Sequence, residues 1–282
     1  MYEDLKEVLR EKFIYWESDI NDRDVLDFTE YNLRGIIQDS KEFLLYRYMP
    51  ANYFNIRNIE TQTIHLSPNG LFNDIYEGIP STDNTDDYYK IDSLKDLAYI
   101  TCLTENNDNI LMWSHYADSH RGICIEYDVR RIVKDPYQII RHLFPVIYCK
   151  QRIIRRDIDS LVKNHSDLNK AIDECYFYEN EEPLDDLIPL FLIKGDMWQY
   201  ENEWRIVYTR KNMYDFDDHI LYSGNLVFPC ISNVYLGYRI HPEIRKNIIE
   251  ICERLSSTGQ EVEVYQAKLK NKSYEIEFEL IK

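Results

Sequence analysis

Two glutamates and an arginine at alternate positions, Glu201, Glu203 and Arg205, stand inside the run Trp198-Gln199-Tyr200-Glu201-Asn202-Glu203-Trp204-Arg205-Ile206-Val207-Tyr208. Side chains alternate along a strand, so an extended segment would put all three on one face. Two carboxylates so spaced lie ~7 Å apart by strand rise, close enough for separate roles in one pocket. The pattern reads in two ways. It is an ion-pair ladder on a wet sheet face, worth under ~1 kcal/mol per pair, or it is a polar site that a sheet presents to a cleft. The flanking Trp198, Tyr200, Trp204 and Tyr208 imply partly dry surroundings, in which an unpaired charge is costly. A further cation stands between aromatic rings at Tyr46-Arg47-Tyr48. Paired with a late glutamate, Arg47 would join the two segments.

Polar and aromatic side chains gather at two more places. One is Phe72-Asn73-Asp74 with Glu77, and the other runs from Thr101 through Thr104 and Glu105 into Met112-Trp113-Ser114-His115-Tyr116-Ala117, with His120 and Gly122 beyond. Asp74, Glu77, His115 and Glu203 are a candidate set for a metal-dependent hydrolase or nuclease. Against a metal, His115 and His120 do not share a helical face and no His-Glu-x-x-His occurs, so none is expected. The eight glycines include no two that are two apart. That removes the Gly-x-Gly-x-x-Gly turn, the phosphate-cradling P-loop and the Gly-x-Ser-x-Gly elbow together.

The six cysteines are widely spaced with no Cys-x-x-Cys, which argues against a zinc ribbon or a disulfide framework. A formal charge of −17 disfavours a protein that coats nucleic acid, because phosphate binding draws on clustered Lys and Arg. The basic run Arg130 to Arg156 reads in two ways, as a solvated face answering the acids between Asp173 and Asp186 or as a local basic groove. No stretch approaches the ~20 apolar residues that span a bilayer, so no membrane partner and a cytoplasmic location are expected.

The elements that must position these groups follow from periodicity. Helical spacing marks residues 2–16 and about 25–37, then the texture becomes strand-like. Strands are expected at Phe43–Tyr48, stopped by Met49-Pro50, at Thr63–Leu66, at Ala98–Leu103 and at Ile123–Tyr127. A short helix is expected over Asn52–Ile59, and a helix over Ile110–Ala117, capped from Asn106–Asn109, leads to a stop at Gly122. Residues 130–192 read as mostly helical, interrupted by a strand near Pro145–Cys149. Further strands are expected at Trp204–Thr209, Val234–Leu236, Glu261–Ala267 and Tyr274–Leu280, with a helix from about Pro242 to Ser256. Strands and helices mix without regular alternation, which predicts an α+β fold with a mixed, largely antiparallel sheet core, N-terminal helices and a helical insertion. Residues 1–40 are expected to form a helical extension and 41–282 one domain, the insertion covering about 130–195.

From roughly Phe43 to Gly237 the order of these motifs resembles the bacterial domain-of-unknown-function family 2971. The resemblance is carried by Met112-Trp-Ser-His-Tyr-Ala117 with His120-x-Gly122, and by Lys194 followed by Trp198-x-Tyr-Glu-x-Glu-Trp-Arg205. Ile75 replaces the proline usual in that family's Phe-Asn-Asp-Pro. The order of parts is also similar to the ADP-ribosyltransferase fold. That likeness implies an NAD-consuming transferase, a toxin or defence effector, that modifies a macromolecular acceptor, protein or nucleic acid. It implies that Arg47 and Tyr48 hold the dinucleotide, that Thr104 orients the site, that Trp113 or Tyr116 stacks on nicotinamide, and that His115 and Arg205 complete the NAD site. Glu203 would steady the positive sugar as the glycosidic bond breaks, and Glu201 would activate the acceptor. The competing reading is a non-catalytic regulatory module whose cleft holds a small-molecule nucleotide or a peptide.

Overall fold

Strands β1 (Leu44–Met49), β4 (Ala98–Thr104), β5 (Ile123–Asp128) and β9 (Glu203–Thr209) are the middle of a nine-stranded sheet, flanked by β11 (Ile231–Leu236), β12 (Glu263–Leu269), β13 (Ile276–Leu280) and β6 (Leu143–Pro145). The order is β13-β12-β11-β5-β1-β4-β9-β6, with the two-residue β3 (Ser67–Pro68) added beside β4. Every pairing in this sheet is antiparallel except β11 with β12, so the protein is α+β with a mixed, mostly antiparallel sheet. This computed structural model describes residues 6–7, 22–68, 72, 74–76, 78, 98–132, 138–150, 188, 191–209 and 223–282. The expected helix over 2–16, apart from residues 6–7, and most of the expected helical insertion lie outside the described residues.

The two faces of the sheet bury different chemistry. One carries Leu45, Leu103, Ile125 and Trp204 into the main core, which helices α1 (Asp22–Asp39), α2 (Tyr53–Thr61) and α4 (Pro242–Ser257) complete through Leu33, Ile59, Ile248 and Ile251. Each such side chain, fully buried, adds roughly 1.5–3 kcal/mol of transfer free energy. The other face packs a smaller cluster, Tyr48, Trp113, Cys124 and Tyr235, under helix α3 (Ile110–His115). On this face direct partners across the sheet line up as Asn233, Glu126, Tyr46, Thr104 and Glu203. A row this polar, with Glu126, Thr104 and Glu203 buried, departs from the alternation that packs a core, and it leads to the site.

His142, in the turn before β6, stacks on Tyr208 with ring centroids 4.2 Å apart, and its Nδ1–H donates to the Val207 carbonyl at 3.0 Å. Burial holds its pKa down at about 4. The folded state keeps this imidazole neutral while the unfolded chain protonates it near the ordinary value of 6.5. Stability from it is therefore complete above that value and lost as pH falls toward 4. His142→Phe keeps the stack and removes the titration. Urea unfolding between pH 6.5 and 4 is expected to show a shallower acid loss in the variant, by about 3 kcal/mol over the window.

Candidate functional site

The edge of β4 is divided between two neighbours. At one end Thr104 pairs with Tyr46 of β1, the single residue pair between those strands, and at the other Tyr99 and Ile100 pair with Pro68 and Ser67 of β3. Between these ends lies a cavity of about 360 Å³. Tyr46, Arg47 and Tyr48 of β1 line it together with Ile100, Cys102, Leu103 and Thr104 of β4. Consecutive residues of both strands reach it because the strands part there. Ser67, Phe72, Met112, His115 and Tyr116 add to the walls, and Lys194, Glu201, Glu203 and Arg205 complete the lining.

Glu201 is not on a strand, contrary to the alternation expected across residues 201 to 205. It ends a 3-10 helix, Asp196–Glu201, and the next residue, Asn202, is left-handed at φ 42°, ψ 53°. Asparagine tolerates that conformation better than most residues, and the strand starts only afterwards at Glu203. The turn is fastened on both sides. Thr104 Oγ1 donates to the Glu201 carbonyl, the Glu105 amide donates to the Asn202 carbonyl at 3.2 Å, and Asn109 Nδ2 donates to the Tyr200 carbonyl at 2.8 Å. Asn109 also caps α3, accepting from the Leu111 and Met112 amides, so one side chain fixes both helices beside the cavity.

The carboxylates converge through the turn rather than along a strand. Lys194 Nζ donates to Glu201 Oε2 at 2.5 Å and to Glu203 Oε2 at 3.0 Å. Arg205 grips Glu203 with both arms, Nε to Oε1 at 2.7 Å and Nη2 to Oε2 at 3.0 Å. Tyr116 Oη donates to Glu201 Oε1 at 2.6 Å. All four charged groups are buried, with Arg205 wholly so. Arg205 lies over the Phe72 ring and Lys194 over the Trp198 ring, 4.9 Å from its centroid. Burial drives the Glu203 carboxyl up, but Arg205 and then Lys194 more than offset it and hold the pKa near 2. Burial drives Glu201 up as well, and there Lys194 does not fully offset it, so its pKa stays raised. Environments that push two neighbouring carboxyls apart are how acid and base roles are divided.

Arg47 is half-buried, and its only side-chain hydrogen bond within the described residues runs from Nη1 to the His65 carbonyl at 3.0 Å. No described carboxylate lies within ion-pair distance of it, and desolvation lowers its pKa. Tyr48 packs edge-on against Trp113 at 5.2 Å, and its buried hydroxyl has no hydrogen-bond partner among the described residues.

The cavity thus gathers Arg47, Tyr48, Thr104, His115, Tyr116, Glu201, Glu203 and Arg205. Thr104 acts on the backbone of the 201–202 turn, while His115 is exposed at the rim. Trp113 is not on the wall: it is wholly buried behind Tyr48, with Nε1 donating to the Asn107 carbonyl at 2.8 Å. Asp74 is buried and accepts from the Tyr76 amide, while Asn73 and Glu77 lie outside the described residues. No cluster of three metal-ligating side chains forms among the described residues. Sequence reasoning singled out Lys194 only as part of a motif and missed its position between the two glutamates. The available signal was a lysine closing the apolar run Phe191-Leu192-Ile193, seven residues before Glu201.

Three consecutive residues after α3, Asp118, Ser119 and His120, have positive φ of 46°, 53° and 67°. Their tight turn ends at Gly122, whose amide donates to the Ala117 carbonyl at 2.8 Å, and it delivers the chain into β5 beside β1. This accounts structurally for the His120-x-Gly122 spacing. His120 Nε2 meets Ser114 Oγ at 3.0 Å, a tie across the turn and away from the cavity.

No helix among the described residues is long and apolar enough to cross a membrane. No curated protein and no solved structure matches the chain. A family model does match, over residues 112–206, the middle of the stretch on which the motifs lie. That segment, which starts in α3 at the cavity wall and ends in β9 just past Arg205, is similar to the family described as Protein of unknown function (DUF2971).

Proposed function

We propose that the cavity binds NAD and that the protein transfers ADP-ribose from it to a macromolecular acceptor. The observation that carries this reading is the placing of Arg47, with no counter-ion among the described residues, and of Glu201 with Glu203 on the lining of one cavity. NAD has the matching pattern, an anionic diphosphate joined to a ribose whose bond to a positively charged ring is the one to break. Arg47 takes the diphosphate as a forked cation. Tyr116 and Tyr48 offer ring faces and edges to the nicotinamide. When the glycosidic bond breaks, its electron pair leaves with nicotinamide, which becomes neutral, and the positive charge passes to the sugar. Glu203, ionised at any ordinary pH, stabilises that charge, and Glu201 accepts the proton of the attacking acceptor group.

The test is to follow nicotinamide release and transfer of adenine-labelled ADP-ribose to proteins and nucleic acids of a cell extract. Glu203→Gln is expected to lower turnover by about 10²–10³-fold, as loss of one preorganised electrostatic group does. Absence of NAD loss and of labelled product with the unaltered protein would overturn the reading.

One observation favours a second reading, a module that binds a nucleotide without turnover. Both Glu203 oxygens are already bonded by Arg205 and Lys194, which makes the pair part of the scaffold. In that case NAD or another nucleotide raises the melting temperature, because it binds the native state alone, and is recovered intact.

A further inference from the structure

We infer that Lys194 is the positioning residue of the cavity floor: its ammonium holds Glu201 and Glu203 to one point, and Glu201 depends on it where Glu203 does not. The inference rests on the reading of the two glutamates as a working pair and names the residue that makes them one. Lys194 lies in β8 (Ile193–Gly195), directly paired with Tyr148 of the parallel β7 (Ile147–Cys149). Tyr148 Oη accepts from the Glu203 amide at 2.8 Å, so this small two-stranded sheet meets the start of β9 at two adjacent points. The lysine stem is 5% exposed and its ammonium lies over the Trp198 ring. A buried ammonium on a flexible stem is costly to hold unless its donors are used, and two of the three go to these carboxylates.

The two glutamates are unequally placed. Glu203 keeps the two-pronged grip of Arg205 if Lys194 is removed. Among the described residues Glu201 has Lys194 as its only cation, and its remaining side-chain partner, Tyr116, is neutral. Removing the ammonium therefore leaves Glu201 as a desolvated carboxylate with one hydroxyl donor. Such a group takes up a proton, whereas Glu203 stays ionised. A nearby opposite charge ordinarily lowers a carboxyl by one to three units, so its loss raises Glu201 by at least about one unit.

The experiment follows glutamate side-chain carboxyl carbons by NMR from pH 3 to 9 in the full chain, with Lys194→Met and Lys194→Arg beside the native protein. Expected is an upward shift of the Glu201 titration by about one unit or more in Lys194→Met, a Glu203 signal that stays in its ionised position, and recovery in Lys194→Arg to within about half a unit. In the native protein the Lys194 Nζ resonance is expected to move at the pH where Glu201 titrates, a readout that needs no variant and settles the matter if Lys194→Met fails to fold. Glu201 and Glu203 shifting together, Glu201 not shifting, or an Nζ resonance indifferent to Glu201 would each overturn the inference. None of these signals requires turnover. Expected titrations without NAD consumption therefore count against the proposed transferase alone. NAD consumption with an unmoved Glu201 counts against Lys194 alone.

Discussion

Arg205→Met is expected to lower the free energy of unfolding by about 3–5 kcal/mol, the range for removing one partner of a buried ion pair. At this chain length that corresponds to a melting temperature lower by roughly 10 °C. The reason is geometric. Arg205 is wholly buried, satisfies both oxygens of Glu203, and sends Nη1 to the Phe191 carbonyl. Methionine fills much of the space but leaves Glu203 with Lys194 as its one cation among the described residues. The carboxylate then either remains charged and poorly paired or takes up a proton at a higher pH. Adding Glu203→Gln to Arg205→Met is expected to recover part of the loss, because the orphaned charge is gone. Urea unfolding of the two variants measures this. A loss under about 1 kcal/mol would mean that the pair behaves as a solvated surface bridge.

Gly122→Ala is expected to be nearly as damaging, by about 3 kcal/mol, at the upper end for overpacking. A Cβ on Gly122 would lie 2.3 Å from the Met49 carbonyl oxygen and 2.9 Å from the Ala117 backbone. Both neighbours are main chain, so no side-chain rotation relieves the contact. Met49 ends β1, and Ala117 precedes the left-handed turn. Relief therefore has to separate β1 from the 117–122 turn, which loosens Tyr48 and Tyr116 at the cavity. Gly35→Ala provides the control, because a Cβ there meets nothing within 4 Å. Denaturant midpoints of the two variants are expected to fall on opposite sides of the native value or, for Gly35→Ala, on it.

Local pattern carried most of the secondary structure. The strand expected over Phe43–Tyr48 is Leu44–Met49, that over Ala98–Leu103 is Ala98–Thr104, and the helix from Pro242 ends at Ser257. Each is an apolar period bounded by a Pro, a cap or a turn, and such signals are local. What escaped was set at longer range. Glu201 reads as strand because its neighbours alternate, and only Asn202 in a left-handed conformation lifts it into a 3-10 turn. The strand at 231–236 was anticipated only from Val234, because its first half bulges at Ser232, whose hydroxyl donates to Glu126. Glu126 itself accepts from Ser232, Asn233 and Tyr235, a buried carboxylate that the continuous run Ile123–Tyr127 conceals. At the site, Arg47 and the late acids were recognised by residue type, whereas Lys194 and the placing of Trp113 behind Tyr48 depend on tertiary packing.

The lone rung between Tyr46 and Thr104 makes the sheet two panels joined at a seam, one running from β13 to β1 and the other from β4 to β6. Six register pairs tie β1 to its other neighbour and seven tie β4 to its own, so flexing concentrates where a single pair resists it. A molecule lodged there touches both panels at once. It would act as a clasp, and slower exchange of the Arg47 and Leu103 amides would record its grip without reference to any reaction.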